Sequence, residues 1–339
     1  MAMPRQARID APGALHHIII RGIEQRAIFK DRIDRANFIK RLGTVISETA
    51  TPCYAWVLMH NHVHLLLKTG LTPVATLMRR LLTGYAQQFN RRHGRHGQLF
   101  QNRYKSFLCQ EDAYLLELVR YIHLNPIRAN VVKDLKTLNN YAWCGHRVLM
   151  GKVSCDWQDR DYVLRLFGKK EGSARRAYAE FMAKGQNQGR RRDLVGGGLI
   201  RSVGGWVALK SFQRDGIRVK GDERILGSSD FVEEVLKKAN EQLQQRTLLQ
   251  SKGPDLDQLI KQVAKYYHID FEELKTTSKA RTVSLARSVL CYLAVRQLLF
   301  SCAEVARTLN ISASAVSKAV AKGQALTNRT KIQKEILGI

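Results

Sequence analysis

The stretch HNHVHLLL, residues 60–67, sets His60, His62 and His64 at alternate positions. Successive side chains of a β-strand point to opposite faces, so a strand here would line three imidazoles along one side. Two imidazoles one strand repeat apart, roughly 6.5 to 7 Å along the chain, can ligate one divalent ion if their rings lean together. The alternative is a set of buried histidines, each satisfied by its own hydrogen bonds. Further along, RYIHLNP holds Tyr121 and Asn125 four apart, which on a helix is one face and one turn. A tyrosine hydroxyl can attack phosphorus and stay attached as a phosphotyrosine, with the amide oxygen of Asn125 as a further metal ligand. A plain core tyrosine is the other reading, and Tyr114 on the same helix competes for the role of nucleophile.

Phosphorus chemistry fits the charge. Lys and Arg number 56 against 29 Asp and Glu, for a net charge of +27 and a pI near 10.2. The surplus is spread as +13 over residues 1–150, +8 over 151–254 and +6 over 255–339. No separate basic tail accounts for it, so nucleic acid is the expected partner. At 45% hydrophobic, 339 residues can bury a sizeable core in two or three domains. The six cysteines form no CxxC pair, MAMPRQARIDAPG has no apolar core for a signal peptide, and no apolar run is long enough to span a membrane. A reducing, cytoplasmic setting is expected, with cysteines serving as small core hydrophobes.

The elements that must position these residues follow from periodicity. Residues 53–68, CYAWVLM through LLLK, read as one buried strand, and LHHIIIRG (15–22) as another. Residues 33–49 read as a helix. TPVATLMRRLLTGYAQQFNRRHG reads as a second, with Thr72 as cap, Pro73 in the first turn and Gly94 ending it. Residues 97–109 read as a strand placing Arg103 and Lys105 on one face, and 111–125 as a third helix stopped by Pro126. This order predicts an α+β fold over residues 1–150, an antiparallel sheet covered by helices.

Residues 151–254 form a basic, partly helical connecting region. SARRAYAEFMAKG and FVEEVLKKANEQLQQR are helix-like, and GQNQGRRRDLVGGGLIRSVGG, with no GK[ST] ending or GxGxxG spacing, reads as turns and linker. Ser251 to Pro254 reads as a boundary. Residues 255–339 read as all helix. Ser301 and Glu304 form a capping-box pattern, a turn is expected at Asn310 to Ser312, and a second helix to about Lys322. Val305, Leu309, Ile311, Val316 and Val320 fill the space between the two helices, which is helix-turn-helix spacing suited to a DNA major groove.

MHNHVHLLL together with RYIHLNPIRAN resembles the REP-associated tyrosine transposases, a branch of the HUH single-tyrosine transposases, over residues 8 to about 150. The departure is His60, where relatives commonly carry proline. The resemblance implies that His62 and His64 are metal ligands, Tyr121 the nucleophile and Asn125 the residue completing the metal site. It implies cutting of single-stranded DNA beside short palindromic hairpins, with Mg²⁺ or Mn²⁺, leaving a 5′-phosphotyrosine and a free 3′-hydroxyl. GDERILGSSDFVEEV resembles the extension of longer members of this group. Residues 259–298 with the helix-turn-helix resemble the DNA-binding domain of the replication initiator DnaA, which implies DNA contacts from Lys279 and Arg281 in a basic loop. Ser312 to Lys322 would then be the reading helix, with Ser314 and Lys318 on its DNA face; DnaA's Asp-His-Thr-Thr is here SASA. Expected partners are therefore a single-stranded hairpin and, through the last domain, duplex DNA, with no membrane and a monomeric or homodimeric state. Two rival readings are a non-catalytic DNA-binding regulator and a histidine-triad nucleotide hydrolase, whose signature HNHVHLL nearly fits.

Overall fold

The apolar run LHHIIIR makes strand β1 (Leu15–Arg21), buried except at its last residue. β3 (His62–Lys68) and β4 (Lys105–Cys109) flank it, both antiparallel, with Ile19 opposite His64 on one side and Lys105 on the other. β2 (Cys53–Leu58) pairs antiparallel outside β3, and β5 (Ile225–Leu226) pairs parallel outside β4, for the order β2-β3-β1-β4-β5. This computed structural model describes residues 9–10, 13–70, 72–189, 191, 194, 222–252, 254–276, 278, 280–298, 300–327 and 332–337. The antiparallel sheet expected from the sequence thus holds for four strands, and a short parallel fifth strand makes the sheet mixed.

Residues 53–68 are two strands, not one. The Met59 N–H donates to the His62 carbonyl at 2.8 Å, closing a tight turn that folds the apolar run back on itself. One strand of that length would outrun its neighbours in the sheet, whereas a hairpin pairs both halves. His60 consequently lies in the exposed turn and does not share a face with His62 and His64.

Both faces of the sheet are covered. α1 (Arg32–Thr49) and α2 (Val74–Arg92) bury Phe38, Leu42, Leu77, Leu81 and Tyr85 against Ile18, Ile20, Val63 and Leu65. α3 (Glu111–Arg128) lays Leu115, Leu118, Tyr121 and Ile122 on the opposite face, against Leu15, Val57, Leu66 and Cys109. Thr72 does not cap α2, because Pro73 occupies the N-cap position; the Val74 N–H donates instead to the Asp10 carboxylate at 2.8 Å. Gly94, at φ +58°, follows the C-cap His93. β4 is shorter than expected, and Arg103 lies before it, so Arg103 and Lys105 do not share a strand face.

Four further helices follow: α4 (Leu135–Leu138), α5 (His146–Leu149), α6 (Arg160–Arg165) and α7 (Glu171–Gly185). Ala174, Tyr178 and Met182 of α7 enter the core beneath α3. A largely buried network fixes α3 there. Asn139 Oδ1 accepts from His146 Nε2 at 2.8 Å, so His146 Nδ1 accepts the Tyr178 hydroxyl at 2.7 Å. The Tyr178 oxygen in turn accepts from His123 Nδ1 at 2.9 Å. The chain divides into compact units Met1–Leu236 and Lys237–Ile339, with α8 (Ser229–Lys252) spanning the division in sequence. Of the glycine-rich stretch 185–205, residues 190, 192–193 and 195–205 lie outside the described residues.

The second unit holds α9 (Leu256–Tyr267), α10 (Arg281–Tyr292), α11 (Cys302–Thr308), α12 (Ala313–Thr327) and α13 (Ile332–Leu337). Capping boxes Asp255/Gln258 and Ser301/Glu304 start α9 and α11. Asn310, at φ +53°, makes the turn, and Val305, Leu309, Val316 and Val320 are buried as the pattern required. α12 runs on to Thr327, past the expected end, because Gly323 lets it continue directly over the Ser288 carbonyl: a Cβ there would sit 2.0 Å from that oxygen. All six cysteines are free, and among the described residues no helix is long and apolar enough to cross a membrane.

The buried network carries a pH signature. Burial lowers the His146 pKa to about 4. The unfolded chain therefore binds the extra proton first, and this contribution to stability is present above about pH 6.5 and lost as pH falls towards 4. His123 on α3 and Tyr178 on α7 face the same ring and stay neutral, held so by burial. His146→Asn removes this one titration. The stability difference between wild type and His146→Asn, read from urea unfolding, is expected to shrink by about 2 kcal/mol between about pH 7.5 and pH 5; a constant difference would refute the assignment.

Candidate active site

The antiparallel register brings His62 and His64 onto the α3 side of the sheet, with their ring centroids 5.1 Å apart. α3 lays Tyr121 over His64 and over His17 of β1, at 5.8 and 5.9 Å, edge to face in both cases. Tyr121 is the tyrosine that meets the histidines, whereas Tyr114 packs at the edge of the α3 core. Sequence reading missed His17. It shares the parity of Ile19 and Arg21, so it too points to the α3 face, and its ring stacks on His64 at 5.2 Å.

Hydrogen bonds settle which ring nitrogens carry protons. Asn61 donates its amide N–H to the Gln25 carbonyl at 2.8 Å, which leaves Asn61 Oδ1 to accept from His62 Nδ1 at 2.7 Å. His62 is then protonated on Nδ1, so Nε2 is the ring nitrogen that can offer a lone pair. Burial, with the neighbouring His17, His62 and Arg21, holds His64 well below the usual histidine range, so it is neutral. A neutral imidazole is a competent donor to a metal ion. Among the described residues no group of three His, Cys, Asp or Glu forms a ligand set. An ion here would therefore complete its shell from an amide, water or phosphate, and a pair of nitrogen donors suits Mn²⁺ better than the harder Mg²⁺.

Asn125, the amide singled out from the sequence, sits on α3 one turn beyond Tyr121. α3 does not stop at Pro126; it runs to Arg128 with Pro126 inside its last turn. Proline cannot donate to the carbonyl four residues back. That carbonyl is Ile122's, and the Asn125 side chain donates to it at 3.4 Å and to the neighbouring Tyr121 carbonyl at 2.9 Å. With its nitrogen turned into the helix, the oxygen is the end of the amide left to serve as a ligand. Arg128, also missed from sequence, sets its guanidinium 5.3 Å from the centre of the Tyr121 ring and donates to the Tyr121 carbonyl at 3.2 Å. The helical spacing of seven from Tyr121 was the available signal.

Cations edge the site. Arg21, opposite His62, and Lys105, which shares the partner Ile19 with His64, are exposed on the same face. Arg103 is exposed elsewhere, lining a groove with Arg79, Gln87 and Asn90 of α2. In the second unit Ser314 and Lys318 are exposed on α12, and Arg281 begins α10. Lys279 lies outside the described residues. The turn before Arg281 is held by Arg287, which donates to the carbonyls of Glu273, Leu274, Thr276 and Ser278.

Asn125→Ala should cost about 1 to 2 kcal/mol of stability in urea unfolding, because two helix carbonyls lose a donor. Restoring a backbone N–H with Pro126→Ala should reduce that cost in the double variant. Equal costs in both backgrounds would show that Asn125 does not compensate for the proline.

Residues 12–125 match the family described as transposase, IS200 like, and residues 256–322 match the bacterial dnaA protein helix-turn-helix. Among solved structures, the chain is similar to a REP-associated tyrosine transposase bound to a REP hairpin, at 16% identity over 46% of this chain and 94% of that one, with a TM-score of 0.36. It is also similar to a candidate transposase from Deinococcus radiodurans R1, at 17% identity over 36% and 95%, with a TM-score of 0.26. No curated protein matches it. The chain thus carries an IS200-like transposase domain over residues 12–125 and a DnaA-type helix-turn-helix over residues 256–322.

Proposed function

We propose that the first unit is a cytoplasmic DNA strand-cutting and strand-transfer enzyme acting on single strands beside hairpins, with Tyr121 as nucleophile. The observation that carries this reading is the meeting of His62, His64 and Tyr121 on one sheet face, with ring centroids 5.1 and 5.8 Å apart. A histidine-triad hydrolase is disfavoured because its nucleophilic histidine would have no use for a tyrosine laid over it. His62, His64 and Asn125 would hold Mn²⁺ or Mg²⁺, which when bound polarises the scissile phosphate and steadies the leaving oxygen.

The chain's own residues do the rest. Tyr121 Oη attacks phosphorus and gives up its proton to solvent. The bond to the 3′ oxygen breaks, that oxygen takes a proton, and the 5′ phosphate remains on the tyrosine. Attack of another 3′-hydroxyl on the phosphotyrosine reverses the step and rejoins DNA. Arg128 stands beside the ring where negative charge gathers, and Arg21 and Lys105 offer contacts to the flanking backbone. The second unit would hold duplex DNA, α12 entering the major groove.

Incubation with a single-stranded hairpin and Mn²⁺ should give a protein–DNA adduct on a denaturing gel. Tyr121→Phe should abolish the adduct with hairpin binding nearly unchanged; an adduct surviving in that variant would move the nucleophile to Tyr114 or elsewhere. His62→Ala and His64→Ala should each lose at least about a hundredfold in cleavage rate, while His60→Ala should retain most of it. Undiminished cutting by wild type in chelator would remove the metal from this account.

For the second unit, Lys318→Ala in the full chain should weaken duplex binding and lower the slope of log affinity against log salt by about 1. An unchanged slope would place the duplex contacts elsewhere, or make this domain a protein-binding one.

A further inference from the structure

His17 has no part in the chemistry above, yet it is fully buried against His64, and both of its ring nitrogens are engaged. His17 Nδ1 lies 3.1 Å from the Leu194 carbonyl oxygen, which can only accept. Nδ1 must then carry the proton. The ring is fully buried, where a charged imidazole is disfavoured, so Nε2 has a lone pair. His64 Nδ1 lies 2.9 Å from that nitrogen and therefore donates to it. The remaining nitrogen of His64, Nε2, is left with its lone pair.

We propose that His17 is the positioning residue that fixes the tautomer of His64 for metal binding, and that Leu194 fixes His17 in turn. The proposal rests on the reading of His62 and His64 as metal ligands. It extends the site into the middle of the chain: the acceptor that starts the relay lies outside residues 12–125, which match the transposase family. The same device recurs beside it with a different partner, since Asn61 accepts from His62 Nδ1. Both candidate ligands thus have Nδ1 occupied by a hydrogen-bond acceptor and Nε2 as the donor atom. Ligating histidines depend on such partners for ring orientation and basicity. The register supplies the geometry: His17 opposes Leu66 and Ile19 opposes His64, so His17 and His64 are diagonal neighbours on one face, close enough to stack.

The test uses full-length protein without DNA. Mn²⁺ binding is measured by calorimetry, and histidine tautomers are read from long-range proton–nitrogen NMR spectra of the metal-free protein. His17→Leu removes the acceptor and should weaken Mn²⁺ binding by about 10- to 100-fold. His17→Gln can accept from His64 with its amide oxygen and donate to Leu194 with its nitrogen, so it should stay within about threefold of wild type on the same scale. The spectra should show His17 and His64 protonated on Nδ1 in wild type. His64 should keep that form in His17→Gln and lose it in His17→Leu. If His17→Leu does not fold, His17→Asn, too short to reach His64, takes its place. Wild-type Mn²⁺ affinity in His17→Leu or His17→Asn, with weakened binding in His62→Ala, would overturn the proposal. Unweakened binding in both His62→Ala and His64→Ala would instead overturn the ligand reading, and the tautomer spectra would still decide whether the relay exists.

Discussion

The candidate site depends on the register between β1 and β3. Side chains alternate along a strand, so sliding β3 by one residue would turn His62 and His64 under α1 and α2 and bring Val63 and Leu65 beneath Tyr121. The two cores prevent that slip. Val63, Leu65 and Leu67 are buried on one face and Leu66 on the other, and each has its own apolar cluster. Burying a side chain of this size is worth roughly 1.5 to 3 kcal/mol, so a slip that exposed or mispaired several would cost an amount comparable with the net stability of a domain. Histidine positions are thus held by leucines and valines that take no part in chemistry.

α3 solves a second problem, that of presenting a tyrosine and an amide from a helix that contains proline. Pro126 leaves a carbonyl without its usual donor just where Tyr121 and Asn125 must be steady. Asn125 answers with its own nitrogen, and in doing so fixes which end of the amide is turned outward. On the far side of the helix, the network of His123, Tyr178 and His146 anchors α3 to α5 and α7. The motif RYIHLNP therefore holds residues with separate duties: Tyr121 faces the sheet histidines, Asn125 bonds back to its own helix, and His123 holds the helix in place from beneath.

Much of this was legible in the sequence, for reasons that also explain the rest. His62, His64, Tyr121 and Asn125 could be singled out because spacing of two and of four each implies a shared face. The second unit was legible because capping boxes and apolar spacing are local signals, and Ser301 with Glu304 caps α11 as the pattern indicated. What failed was non-local or lay at element ends. Residues 53–68 look like one strand because the turn at Met59 to Asn61 contains neither Gly nor Pro to announce it. Pro126 looks like a helix stop because its compensation by Asn125 is a side-chain contact that periodicity cannot register. Thr72 looks like a cap because nothing in the local sequence reveals that Asp10 reaches α2 from sixty-four positions away. His17 was passed over because LHHIIIRG reads correctly as a buried strand, and burial alone does not say that its partner is a histidine on the neighbouring strand.

The second unit sets a limit on how its DNA is read. The start of α12 has short side chains, SASA at residues 312–315, and its hydroxyls are already engaged. Ser312 Oγ caps the helix by accepting the Ala315 N–H at 3.1 Å and lies 2.9 Å from Ser314 Oγ. Base recognition in a major groove favours long or amide-bearing side chains at this end of the reading helix. A helix that presents alanines and self-bonded serines there offers little to distinguish one base pair from another. Arg281 and Lys318, exposed and positively charged, are instead suited to phosphates, whose contacts set register and orientation without reading sequence. Gly323 against the Ser288 carbonyl and Arg287 across the preceding turn make this surface rigid from behind. A helix with so few base-reading side chains, backed by cations suited to phosphates, favours holding DNA over choosing its sequence.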